Sequence, residues 1–73
     1  VTWDEHLAKC KVDAHKLVDR GMLADAVASM ASDILKHPDG PKGAVVDTLV
    51  VVALLYIVNH DVREIRRWID GWH

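Results

Sequence analysis

The chain contains one cysteine, two prolines, four glycines and no phenylalanine among its 73 residues. The lone Cys10 cannot close an internal disulfide, so no covalent framework supports the fold. The four glycines are scattered through turns and form no phosphate-cradling loop. Charge of one sign is not in excess either. Nine Lys and Arg against eleven Asp and Glu leave a net charge of −2, which lacks the basic footprint of a dedicated nucleic-acid binder. The first residues, Val1 to His6, offer neither a basic start nor an apolar run, so a signal peptide is not expected there and a cytoplasmic address is. The longest apolar stretch, Ala44 to Val58, would span roughly 22 Å as a helix, against the ~30 Å of a bilayer core. Asp47 near its start makes insertion worse still.

What is present is the balance of a folded chain: 51% apolar and 27% charged residues. A single helical domain over residues 1–73 is expected. At this length only ~60% of the unfolded surface is buried, so the domain is marginal unless packing is good or subunits associate. Four helices are predicted, at about 3–20, 22–36, 44–59 and 61–70, arranged as an all-α bundle around a central apolar third helix. Thr2-Trp3-Asp4-Glu5 has capping-box form. The apolar stripe of Trp3, Leu7, Cys10, Ala14, Leu17 and Val18 follows it, and Gly21 supplies the stop. The second helix carries Leu23, Val27, Met30 and Ile34 as its stripe, flanked by Ala24, Ala28 and Ala31, which predict close approach of a neighbouring helix along that flank. His37-Pro38-Asp39-Gly40-Pro41 breaks the chain. The β-branched residues of the third segment also suit a buried strand. Its length and the absence of a turn signal within it favour helix. Asp61 and Glu64 open the fourth helix, whose apolar face is Val62, Ile65, Trp68, Ile69 and Trp72. The three tryptophans, Trp3, Trp68 and Trp72, are assigned to the core.

Candidate chemistry is sparse. His6, Cys10 and Asp13 fall at i, i+4 and i+7, a spacing that brings three metal-ligating types to one side of a helix. Cys10 lies on the apolar stripe, so the structural reading, a thiol acting as a small hydrophobe, is preferred and no metal or cofactor is expected. No signature accompanies a nucleophile, and the nine aspartates are spread over polar faces, so an enzyme is not expected. Arg63, Arg66 and Arg67 on the fourth helix admit two uses. They suit a partner-protein contact, or a DNA-associated accessory role with that helix in a groove. The helix has no Ser, Thr, Asn or Gln to read base edges, and pairs such as Arg66–Asp70 and Arg67–Asp70 are expected to neutralise its polar face.

The spacing Gly21-x-Leu23-x-x-Ala26-Val27-x-x-Met30-x-x-x-Ile34-x-x-x-Pro38, with Ala14 and Leu17 before it, resembles a single tetratricopeptide-like helical hairpin over residues 10–38. Cys10 takes the place of that unit's typical tryptophan, and no second repeat follows. Ala26 to Asp33, the His37-Pro38 turn and the closing Arg63 to Trp72 are similar to small helical proteins encoded by phages of actinobacteria. That resemblance implies an accessory protein that acts by binding, and it carries no functional residue across.

The third helix yields the sharpest expectation. With Val45 at zero on a helical wheel, Leu54, Val58, Val51 and Leu55 fall between about 180° and 280°, on the side of Asp47. Either the other helices wrap round and cover this strip within one chain, or a second copy covers it. The second alternative is adopted: a non-catalytic protein–protein interaction module, a homodimer through Val51, Leu54, Leu55 and Val58, that also binds another protein.

Overall fold

The computed structural model describes residues 1–73 and contains four α-helices and no strand: α1 (Trp3–Asp19), α2 (Leu23–Leu35), α3 (Gly43–Val58) and α4 (Val62–Asp70). Each boundary lies within a residue or so of the expected one, the ordinary uncertainty of a fraying end. The Cα radius of gyration is 11.3 Å, close to the ~11 Å of a well-packed chain of this length. No helix is long and apolar enough to cross a membrane.

Local chemistry accounts for the helix ends. Thr2 Oγ1 accepts a hydrogen bond from the Glu5 amide at 3.2 Å, and Asp61 Oδ1 accepts from the Glu64 amide at the same distance. Each satisfies an amide that has no partner within its helix. The helix ends of α1 and α3 share one device. Gly21 N donates to Val18 O and Met22 N to Leu17 O; His60 N donates to Ile57 O and Asp61 N to Tyr56 O. This is the Schellman arrangement, which needs a left-handed residue at the turn. Gly21 supplies it at φ 76°, and His60 takes φ 51° in the same role. Between α2 and α3, Lys42 Nζ donates to Pro38 O at 2.9 Å, drawing the proline-containing turn closed.

The core consists of Leu7, Cys10, Ala14 and Val18 from α1, and Leu23, Ala26, Val27, Met30 and Ile34 from α2. Val46 and Ala53 of α3, Ile65 and Ile69 of α4, and Trp72 complete it. The expected stripe of α2 is buried throughout. Two expectations need correction. The central helix is α2, which packs against α1, α3 and α4, whereas α3 touches only α2 and α4 and never meets α1. Apolar content alone favours α3 for the middle, but α2 carries the compact buried stripe and the enclosed Ala26 that let three neighbours close on it. The flank is corrected too. Ala24 and Ala28 are exposed and Ala31 half-buried, and the alanines enclosed between helices are Ala14, Ala26 and Ala53.

Gly40, inside the α2–α3 turn, is there for its size. A Cβ at this position would lie 2.7 Å from Trp3 Cζ3 and 3.0 Å from Ile34 O. Gly40→Ala is expected to cost about 1–3 kcal/mol through displacement of the Trp3 ring, visible as a lowered Tm in a thermal melt. An unchanged Tm would place the Trp3 ring elsewhere.

Candidate functional site

Three polar or apolar groupings stand out from the core. The first surrounds Trp3. Its ring lies edge-on to His37, with centroids 5.5 Å apart, and His6 approaches His37 at 5.1 Å. His6 Nε2–H donates to Asp33 O at 2.6 Å. His37 Nδ1 accepts from the Asp39 amide at 3.1 Å, which leaves its Nε2–H to donate to Val1 O at 3.2 Å. These tautomers follow from the partners, since a carbonyl can only accept. Both imidazoles therefore fasten backbone, His6 joining α1 to α2 and His37 joining the turn to the N-terminal residues.

Beside His6 is a small hollow of about 120 Å³ lined also by Lys9, Cys10, Asp13 and Asp33. The His6–Cys10–Asp13 trio considered for metal does not converge there, and nowhere do three His, Cys, Asp or Glu side chains come together to hold an ion. Burial raises the Cys10 thiol above its ordinary pKa, and the Asp33 and Asp13 carboxylates push the same way. The thiolate, the form that attacks or ligates, is thus disfavoured.

The second grouping joins α1 to α4. Lys11, His15 and Asp19 recur every four residues along one side of α1, and each meets α4. Lys11 Nζ donates to Asp70 O at 3.1 Å. His15 Nε2–H donates to Asp70 Oδ1 at 2.7 Å, while His15 Nδ1 accepts from Arg66 Nη1 at 3.0 Å. Arg66 Nη2 in turn donates to Asp19 Oδ1. The expected Arg66–Asp70 and Arg67–Asp70 pairs are not formed: Arg66 turns to Asp19 and His15, and Arg67 pairs with Glu64 at 3.2 Å. The reason is tertiary. Asp70 is claimed from across the interface by His15, which no pattern within α4 alone reveals. The four-residue recurrence in α1 was the available signal, and an apolar-stripe reading passes over it. Of the three arginines considered for partner contact, only Arg63 has no partner within the chain.

The third grouping is the outer side of α3. Its inner positions are covered by α2 and α4: Val46 and Ala53 are buried, and Leu49, Val50, Tyr56 and Ile57 are half-buried. The outer side has no cover. Val51 is 61% exposed, Leu54 50%, Leu55 63% and Val58 81%. Val45 and Val52 are also exposed, and Asp47 lies among them facing water. The alternative in which the remaining helices wrap the strip within one chain is not realised, because α1 spends its apolar face on α2 and α4.

Comparison with known protein families, with characterised proteins and with solved structures finds no match to this chain.

Proposed function

We propose that this protein is a small non-catalytic interaction module that forms a homodimer through the outer side of α3 and, as a dimer, acts as an accessory to another protein. The observation that carries the reading is the exposure of Val51, Leu54, Leu55 and Val58 together on one uncovered helix side. Isolated exposed apolar residues are ordinary; a contiguous group marks an interaction surface.

A second copy suits this surface better than an unlike partner. Ala44, Thr48, Val51, Leu55 and Val58, all exposed, follow one another at steps of four, three, four and three. That is the seam spacing of a helix that pairs with another helix. The seam residues carry no charge, and Asp47 stands beside them facing water. Each copy withdraws the same apolar surface from water, at roughly 25 cal/mol per Å². A two-fold symmetric dimer is also the commonest form of association between identical chains. The DNA-associated reading draws less support, since Arg66 and Arg67 are already paired within the chain.

Sedimentation at micromolar concentration is expected to give about twice the 8.2 kDa of one chain. Leu54→Glu combined with Val58→Glu should leave the helical content intact and yield monomer. A wild-type mass of one chain at that concentration would overturn the proposal.

A further inference from the structure

Where the beginning of α3 passes the end of α4 there is a cleft of about 380 Å³, walled by Pro41, Val45, Leu49, Trp68 and Trp72 and lined also by Gly71 and His73. Its volume lies within the ~300–1,000 Å³ of small-molecule sites, and like them it is mostly apolar. None of its lining residues is Asp, Glu, Lys or Arg. The two indoles meet edge to face, with centroids 5.6 Å apart and planes at 88°.

Their N–H groups are treated differently. Trp68 Nε1–H donates to Leu49 O at 3.0 Å. Trp72 is only 6% exposed, and its Nε1–H is the one buried side-chain polar atom in the protein without a partner. A buried indole almost always finds an acceptor, because a donor removed from water and left unpaired is a standing cost. Trp72 also sits beyond the last residue of α4, where its amide reaches Ile69 O at 3.5 Å. For the enclosed N–H to meet a ligand in the cleft that the ring lines, the indole has to turn about its side-chain bonds, a motion that breaks no backbone hydrogen bond of α4.

We propose that this cleft binds a small uncharged aromatic molecule bearing a carbonyl, of the aryl amide or aryl ketone class, whose oxygen accepts the Trp72 indole N–H while its ring packs against Trp68, Val45 and Leu49. With no Asp, Glu, Lys or Arg in its walls, and with Nδ1 of His73 engaged by Gly71 O, the cleft favours a neutral ligand over a carboxylate or an amine, since a charge there loses hydration for little return. The orphaned donor selects an acceptor over a hydrocarbon. The cleft adjoins the seam of α3, because its residues Val45 and Leu49 also line a hollow with Ala44 and Thr48 of the seam; ligand binding and sedimentation therefore test the two separately.

The test is a titration of the full chain with acetanilide, followed through the indole N–H resonances in proton–nitrogen NMR spectra. The Trp72 indole proton should move downfield and saturate, as it does on acquiring a carbonyl acceptor. Propylbenzene, which lacks the acceptor, should produce no downfield shift of that proton, and phenylacetate should bind at least tenfold more weakly than acetanilide. Val45→Asp, at an exposed position, should weaken acetanilide binding at least tenfold in a chain that stays folded. Trp72→Phe, which keeps an apolar wall and removes the donor, should abolish the preference for acetanilide over propylbenzene. Absence of a saturable shift, or equal binding by Val45→Asp, would overturn the assignment. So would a Val45→Asp chain that sediments as monomer when wild type binds no acetanilide, since the cleft would then belong to the association surface.

Discussion

Ile34→Ala is expected to remove about 2–5 kcal/mol of folding stability, the range for deleting a fully buried isoleucine side chain beyond its Cβ. A domain of 73 residues has only ~4–11 kcal/mol in total at ordinary per-residue values, so the variant should lie close to its unfolding threshold. Ile34 has no exposed surface and stands near the end of α2, the helix that every other helix touches. Its neighbours cannot collapse into the gap easily, because the turn behind it is tied: the His37 amide donates to Ile34 O, and Lys42 spans the same turn. Urea unfolding followed by circular dichroism would show a midpoint reduced by about half. A loss below ~1 kcal/mol would mean that this end of α2 packs loosely.

Ala26→Leu should destabilise by about 1–3 kcal/mol, and Ala28→Leu should lie within ~0.5 kcal/mol of wild type. The two alanines are two residues apart on one helix and chemically identical. Ala26 has no exposed surface, so an added isopropyl group must push a neighbouring helix outward, while Ala28 faces water. Measuring both in the same host separates overpacking from any change in helix propensity, since both substitutions carry the same propensity term. Equal effects at the two positions would contradict the placement of α2 at the centre of the bundle.

That pair also marks how far the sequence could be read. Periodicity places Leu23, Val27, Met30 and Ile34 on one stripe, and all four are buried. It leaves open which flank of the stripe the neighbours approach, because Ala24, Ala28 and Ala31 on one side and Ala26 on the other are equally small. The answer depends on the crossing of α2 with three other helices. The apolar third helix shows the same division. Its wheel separates an inner from an outer side correctly, with Asp47 and the strip from Val51 to Val58 all exposed. The number of helices covering its inner side could not be read from it.

The polar groups were less legible than the apolar ones. His15, Asp70, Arg66 and Asp19 are separated by up to 55 residues, and each has a nearer candidate of opposite charge or hydrogen-bonding capacity. Local pairing rules favour Asp70 for Arg66 within one helix turn. The packed helices bring α1 closer to both, and the pairs rearrange at little cost because exposed ion pairs contribute no more than ~1 kcal/mol each. Trp72 is a comparable case, since its place on an apolar stripe says that it is buried and nothing about whether its N–H meets an acceptor.

The amino-acid order by itself determined four helices, their ends and their apolar sides, because 3.6-residue periodicity, capping side chains and turn-forming residues act over a few neighbours along the chain. The tertiary structure alone decided that α2 and not α3 is central, that Ala26 is enclosed while Ala28 is free, and that Arg66 turns to α1. Those outcomes depend on the angles and distances at which whole helices pack, and such geometry is a property of all the contacts together rather than of any local run of residues.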